Sequence, residues 1–233
     1  MGAQWKQKHR EAAAGARGRL FGKLAKEIMI AARGGADPSM NAALRMALEA
    51  ARKQSVPRDT VERAVKKGAG LQAGSVQFET VTYEGFAPHG VAVIVECLTD
   101  NKNRTASSMR VLFRGGQQGA AGSVAWDFQR CGLIEAAAPP HDVDPEEDAL
   151  ECGADDVQTD GEGAISFMTE PSQLHAVAGA LTERGWTPES ASLAWIPNNP
   201  MELSPEARAD VEAWLQSMDD DDDVQKIFVA LSD

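Results

Sequence analysis

The chain has 233 residues, a length that corresponds to roughly one to two domains. Its 43% hydrophobic and 25% charged residues are ordinary for a globular protein, which excludes a mainly disordered, collagen-like or coiled-coil chain. No run of about 18 apolar residues occurs, so we expect no membrane span. The three dispersed cysteines and the absence of a secretion signal at the start predict a cytoplasmic protein.

The net charge of −12 is divided unevenly along the chain. Residues 1–70 contain 15 lysines and arginines against 6 acids, a balance of +9, and the rest of the chain has a balance of −21. This asymmetry is typical of a basic module attached to an acidic body, and basic modules usually bind nucleic acid or anionic lipid. The alternative is a solvated helical surface without a partner.

Residues 1–70 predict helices, because Ala, Leu, Lys, Arg and Glu dominate and all five favour helices. Glycine and proline signals separate these helices from one another. The predicted helices span residues 16–32, 41–53 and 57–68, and residues 69–76 are expected to form a linker.

Basic residues should lie on the solvent faces of the first and third helices, opposite the apolar faces. The stripe on the first helix is almost all of one sign, whereas charge used only for solubility usually mixes signs. The candidate nucleic-acid-binding residues here, including an N-terminal basic arm, are Lys6, Lys8, Arg10, Arg17, Arg19, Lys23, Lys26, Arg33, Arg63, Lys66 and Lys67. Charge reversal at Arg19, Lys23 and Lys26 is expected to abolish nucleic-acid binding while leaving the fold intact. The same reversal at Glu206 and Asp210 is expected to leave binding unaffected.

From residue 76 the pattern changes to strands rich in Thr, Val, Phe and Tyr. We expect strands at 76–84, 91–98 and 123–128 around a helix at 103–114. The tail adds a helix capped by Ser204 and a strand at 224–231, which should return to the same sheet.

A second basic spot accompanies this helix. Its candidate contact residues are Lys102, Arg104, Arg110 and Arg114. The glycine-rich loop at 115–122 could let its backbone approach a phosphate or sugar, although an ordinary flexible connection explains it equally well.

Residues 132–196 show the order βαββαβ, which is the ferredoxin-like arrangement. The predicted fold class is therefore α+β with three domains: an all-helical basic N-terminal domain and two α/β sandwich domains, one of them ferredoxin-like and inserted in the other. The predicted boundaries are residues 1–75 for the helical domain, 76–130 plus 199–233 for the first α/β domain and 131–198 for the insertion.

Enzyme, cofactor and metal motifs are not found. The phosphate-loop-like segment Gly18–Lys23 is one residue short and has no preceding strand, and the histidines are isolated from the cysteines. We therefore expect no catalytic residue, cofactor, metal or small-molecule substrate. The five acids Asp219–Asp223 are expected to form a solvated turn. Trp126, Trp195 and Trp214 are expected in the core, and Trp5 is a candidate for stacking on a base.

Several motifs, in order along the whole chain, resemble the YebC/PmpR family. They are Ala16-Arg-Gly-Arg-Leu-Phe-Gly-Lys-Leu-Ala-Lys-Glu-Ile28, Gly34-Gly-Ala-Asp-Pro38, Val56-Pro-Arg-Asp-Thr-Val-Glu-Arg-Ala-Val-Lys-Lys-Gly68, Tyr83-Glu-Gly-Phe86, Asp100-Asn-Lys-Asn-Arg-Thr105, Gly122-Ser-Val-Ala-Trp126, Trp195-Ile-Pro197 and Asp222-Asp-Val-Gln225. The resemblance implies a helical N-terminal domain and two α/β domains around a cleft, in a bacterial cytoplasmic protein that is not an enzyme. Two motifs depart from the family pattern: Gly2-Ala-Gln-Trp5 at the start and Gly115-Gly-Gln117 in the middle loop.

The resemblance implies two kinds of function. Many members are described as probable DNA-binding transcriptional regulators, and others as ribosome-associated factors that relieve stalling on proline-rich nascent chains. We expect a translation factor whose basic helices bind ribosomal RNA phosphates, guided by shape. Duplex DNA is the alternative partner, although no clear helix-turn-helix spacing or recognition helix stands out. A scaffold that binds only proteins is the third possibility.

Overall fold

The computed structural model describes residues 14–71, 78–141, 143–159 and 163–232, with side chains described from residue 17 onward. Lys6, Lys8, Arg10 and Trp5 therefore lie outside the described residues. The fold class is α+β, with a helical N-terminal region followed by two four-stranded antiparallel sheets, as predicted.

The element bounds agree closely with the predicted ones. The described α-helices are α1 (Ala14–Ala31), α2 (Ala42–Lys53), α3 (Arg58–Gly68), α4 (Lys102–Leu112), α5 (Pro145–Cys152), α6 (Leu174–Glu183) and α7 (Pro205–Asp219). The described strands are β1 (Glu79–Phe86), β2 (Ala92–Thr99), β3 (Gln117–Gln118), β4 (Phe128–Ala137), β5 (Asp156–Thr159), β6 (Ile165–Thr169), β7 (Thr187–Pro197) and β8 (Val224–Val229).

The three N-terminal helices enclose a small core of their own, centred on Ile28, Leu44 and Ala64. Asn41 joins two of the helices: its side chain accepts a hydrogen bond from the Leu44 N–H at 3.1 Å and donates one to a carbonyl at the end of α1. Gly68 lets α3 approach α1 closely, because a Cβ there would lie 2.2 Å from a backbone oxygen of α1. The predicted apolar faces of these helices are confirmed.

The first sheet has the strand order β3-β1-β2-β8, and all of its pairs are antiparallel. Pairing of β8 with β2 confirms that the tail strand returns to this sheet. Helices α4 and α7 cover one face, where Met109, Trp214 and Leu215 pack against Val93 and Val95. Ser204 caps α7 by accepting a hydrogen bond from the Ala207 N–H, also as predicted.

The second sheet has the order β5-β6-β4-β7, which is the ferredoxin-like strand order that the sequence predicted. Helices α5 and α6 cover its outer face around Phe167 and Trp186. The strand expected at 123–128 is wrong: residues 125–127 form a short 3-10 turn, and β4 of the second sheet begins at Phe128.

The uncovered faces of the two sheets pack against each other. Ile94 and Phe228 of the first sheet share an apolar cluster with Cys131 and Ala194 of the second. The α/β part is thus layered as helices, sheet, sheet, helices. The three predicted domain boundaries stay predictions.

Candidate nucleic-acid interface

The middle of the basic stripe of α1 does not face solvent, so the sequence prediction was wrong for Lys23 and Lys26. Lys23 is only 9% exposed. Its Nζ donates hydrogen bonds to the carbonyl oxygen of Asp219 at 2.7 Å and to its carboxylate at 2.9 Å. Asp219 is the last residue of α7. The stripe is covered because the end of α7 lies along it.

Residues Asp219–Asp223, called here the acidic turn, also bind the neighbouring cations of α1. The Nζ of Lys26 lies 2.6 Å from the Asp222 carbonyl oxygen and 3.3 Å from the Asp223 carboxylate. Arg19 forms an ion pair with Asp220 at 2.8 Å. The expected solvated turn is therefore also wrong, since these acids hold α1 against the first sheet.

Asp223 is the centre of this contact and is buried. Its carboxylate accepts hydrogen bonds from the Arg104 guanidinium at 2.9 Å and from the Thr105 hydroxyl at 2.9 Å. Burial acts to raise the pKa of Asp223, but these hydrogen bonds and the charge of Lys26 outweigh it and hold the pKa below its ordinary value. Asp223 therefore stays ionised and fixes Arg104 in place.

Two further predicted contact residues are held by the protein itself. Arg33 donates a hydrogen bond to the Phe78 carbonyl oxygen at 2.8 Å. Lys102 forms an exposed ion pair with Glu79 at 2.5 Å. The predicted cations that bind a residue outside their own helix are Arg19, Lys23, Lys26, Arg33, Lys102 and Arg104.

The other predicted cations in the described part of the chain form no ion pair with a described carboxylate, although Arg63 donates to the Asp59 carbonyl oxygen and the Thr60 hydroxyl. We call this set the unpaired cations: Arg17, Arg63, Lys66, Lys67, Arg110 and Arg114. They lie at the start of α1, on α3, and at the end of α4 with the turn after it.

Sequence reasoning missed two exposed arginines of α2. Arg45 and Arg52 are seven residues apart, so they lie on the same face of the helix. No described carboxylate pairs with either of them. The seven-residue spacing is visible in the sequence and could have identified this basic face.

Trp126 is 74% exposed, so the expectation that it lies in the core was wrong. It follows a loop whose backbone N–H groups are held by the buried Glu84. That carboxylate accepts hydrogen bonds from Gly122 at 2.6 Å, Val124 at 3.0 Å and Ala125 at 2.9 Å. Burial acts to raise the pKa of Glu84, but the three N–H donors outweigh it and lower the pKa.

The described residues contain neither a cluster of potential metal ligands nor a helix suited to a membrane span. No group of three or more His, Cys, Asp or Glu side chains there is arranged to hold a metal ion. None of the described helices is both long and apolar enough to cross a membrane.

Comparison with known proteins places the chain in a family. The family described as "TACO1/YebC protein N-terminal domain" matches residues 2–71, and "TACO1/YebC second and third domain" matches residues 78–231. The chain is a member of the TACO1/YebC family. Together these matches span nearly the whole chain, which confirms the resemblance read from its motifs.

Individual relatives are similar over their full length. A protein from Pseudomonas savastanoi pv. phaseolicola is 59% identical over 233 residues, covering 100% of both chains. One from Bdellovibrio bacteriovorus is 49% identical, covering 99% of this chain and all of the other. Both are called probable transcriptional regulatory proteins. The crystal structure of the conserved hypothetical protein Aq1575 from Aquifex aeolicus is 42% identical, with a TM-score of 0.82 over 99% of this chain and 96% of its own.

Proposed function

We propose that this TACO1/YebC protein is a non-enzymatic, nucleic-acid-binding regulator of gene expression that docks on ribosomal RNA in the cytoplasm. In this role it would act as a translation factor that relieves stalling on proline-rich nascent chains. Support for a regulator of gene expression comes from the family and from the name its relatives share. Support for RNA as the partner comes from the distribution of its unpaired cations.

The observation that carries the proposal is the outward-facing basic end of α3. Arg63 and Lys66 are exposed and Lys67 is half-buried, and all three are unpaired cations in a chain whose net charge is −12. An unpaired cation gains the full attraction of a phosphate and releases its counterions. Arg110 and Arg114 supply a second cationic position on the first α/β unit. The acidic remainder of the surface would be repelled by RNA, so it restricts how the protein can dock.

The charge pattern within α3 favours phosphate binding over base reading. A helix that reads duplex DNA places its N-terminal residues at the base edges. The first turns of α3 contain Asp59 and Glu62, and Glu62 forms an ion pair with Arg58 at 2.8 Å. Two carboxylates in that position oppose close approach to a duplex, whereas Lys66 and Lys67 at the other end suit a phosphate backbone.

A DNA-binding transcriptional regulator is the second candidate. It is favoured by the relatives' name and by the connection between α2 and α3. Only residues 54–57 separate these helices, and Ser55 adopts a left-handed conformation with φ of 57°. A tight turn of this length joins the helices of a helix-turn-helix motif.

The test is co-sedimentation of the protein with ribosomal subunits in cell extract, at low and high salt, after DNase or RNase treatment. The RNA role is supported if the protein sediments with the subunits after DNase treatment but no longer does so after RNase treatment or at high salt. Retention on chromosomal DNA, with none on ribosomes, would move the assignment to transcription.

Matched variants test whether α3 forms the RNA-binding surface. Lys66→Gln with Lys67→Gln removes two positive charges and should lower the slope of log affinity against log salt by about 2. The control, Ser172→Glu with Gln173→Glu, changes the net charge equally at two exposed positions just before α6, away from α3 and from the second basic position. Equal weakening by both pairs would show that only the overall charge matters and would contradict an interface on α3.

A further inference from the structure

The most exposed aromatic surface in the described part of the chain belongs to Trp126, which lies just before the second sheet begins. Its side chain is 74% exposed. Its indole Nε1–H donates a hydrogen bond to the Ser123 carbonyl oxygen at 3.0 Å, which fixes the ring relative to the loop. At this exposure most of the indole side chain contacts solvent, so it is available to a ligand.

Hydrogen bonds fix the backbone of the segment that contains Trp126. Three backbone N–H groups among residues 122–125 donate hydrogen bonds to the ionised Glu84 carboxylate, and Gly119 donates one to the Glu84 carbonyl oxygen at 2.8 Å. On the other side, the Asp127 carbonyl oxygen accepts a hydrogen bond from the Asn198 N–H at 2.8 Å. The ring is thus displayed on a fixed support, which reduces the entropy lost when a ligand stacks on it.

The charge around this loop suits a polyanion. Residues 101–126 contain no acid, although the chain has 35 acids in total. The next acid, Asp127, accepts a hydrogen bond from the Asn199 amide at 2.5 Å. The same stretch contains Arg110 and Arg114, which are exposed unpaired cations. Strand β3 begins three residues after Arg114 and pairs with β1 next to Glu84, so the chain runs from Arg114 to the loop along this edge of the first sheet.

The surroundings of Trp126 favour a nucleobase over a protein as its partner. A contiguous apolar patch around the tryptophan would favour a protein partner. The loop before Trp126 consists instead of Gln117-Gln-Gly-Ala-Ala-Gly-Ser123, which offers small and polar side chains. A single nucleobase needs only one aromatic face, and stacking of this kind is tolerant of base identity.

We propose that Trp126 is a stacking platform for an unpaired base of the bound RNA, with Glu84 as the residue that positions its loop. The proposal rests on the proposed nucleic-acid binding and adds to it that part of the bound RNA is single-stranded at this edge of the first sheet. Phosphates flanking the stacked base would lie toward Arg110 and Arg114.

The experiment measures binding of the full chain to three fluorescently labelled RNAs of equal length by anisotropy at fixed salt. The RNAs are a single-stranded oligonucleotide, the same oligonucleotide with abasic positions, and a duplex. Trp126→Ala should weaken binding to the intact single strand about 5-fold to 150-fold, the range that loss of one stacked base represents. Trp126→Phe should retain most of the affinity, because it keeps an aromatic face. Leu150→Ala, which truncates a side chain that is 80% exposed on α5, is the matched control and should change nothing.

Two patterns of results separate this proposal from the proposed function. If the wild-type protein binds the single strand, and Trp126→Ala binds it equally well with an unchanged melting temperature, stacking is refuted while nucleic-acid binding stands. If the wild-type protein binds none of the RNAs, RNA binding itself is refuted. Support for stacking requires that abasic positions weaken the wild type but leave Trp126→Ala unaffected, and that duplex affinity is the same for both proteins.

Discussion

Lys26 is predicted to be a stability residue, and its replacement tests whether α1 is held by the acidic turn. Lys26→Ala removes the charged donor from three acceptors. They are the Leu98 carbonyl oxygen at 3.2 Å, the Asp222 carbonyl oxygen at 2.6 Å and the Asp223 carboxylate. Hydrogen bonds to charged groups contribute about 1.5–3 kcal/mol each, and Asp223 keeps its bonds to Arg104, so we expect a total loss of about 3 kcal/mol. For a chain of this size the melting temperature then falls by about 6–12 °C.

Thermal unfolding followed by circular dichroism measures this effect. Lys66→Ala is the matched control, because Lys66 is exposed and unpaired, and its truncation should change stability by no more than about 0.5 kcal/mol. Lys26→Met keeps most of the apolar stem and separates the loss of hydrogen bonds from the loss of packing. A melting temperature for Lys26→Ala within about 2 °C of the wild type would refute the reasoning. It would also restore the sequence-based expectation that charge reversal on α1 leaves the fold intact.

Three other predictions follow from buried ionisable groups. The folded-state pKa values of Asp223 and Glu84 are lowered, so the stability that these groups contribute is present above the ordinary values of 3.8 and 4.5. This stability is lost as the pH falls below those values. The melting temperature should therefore drop in acid, and its pH dependence should be shallower in Asp223→Asn. Glu84→Gln removes the charge that binds three amides, so those amides should exchange hydrogen faster by NMR while the buried strands do not; unchanged rates would contradict the anchoring role. Burial raises the pKa of the Cys97 thiol to about 12, so a thiol-specific reagent should label it at neutral pH only after urea unfolds the chain; rapid labelling of the folded protein would show that the core around it opens.

Local pattern was sufficient for most of the fold. The spacing of Leu44, Leu48 and Ala51 predicted the buried face of α2, because a helix places such positions on one side. The βαββαβ order similarly predicted the ferredoxin-like sheet, since few topologies satisfy that order with short connections. Both predictions depend on neighbours in sequence or on connection rules, and both were confirmed.

The errors came from contacts between residues far apart in sequence. A helical wheel shows that Lys23 lies opposite the core of its own domain, but its partner Asp219 is 196 residues away. The sequence predicts a strand at 123–128 with Trp126 in the core, and Val124 and Phe128 on either side of Trp126 are indeed buried. The N–H groups of that segment bond instead to Glu84, which lies 38 to 41 residues earlier, and so they cannot form a strand ladder.

The acidic turn changes what the charge asymmetry of the sequence means for binding. A phosphate that approached Lys23 or Lys26 would have to replace a carboxylate or carbonyl already in hydrogen-bonding contact, so it would exchange one anionic or polar partner for another with little net gain. A phosphate that approaches Lys66 replaces only water and counterions. The free energy of nucleic-acid binding should therefore come from the unpaired cations and not from all 15 basic residues of the first 70. Part of the positive charge of the N-terminal region thus serves to hold the helical region on the first sheet, and this fixes the orientation in which the remaining cations would meet a bound nucleic acid.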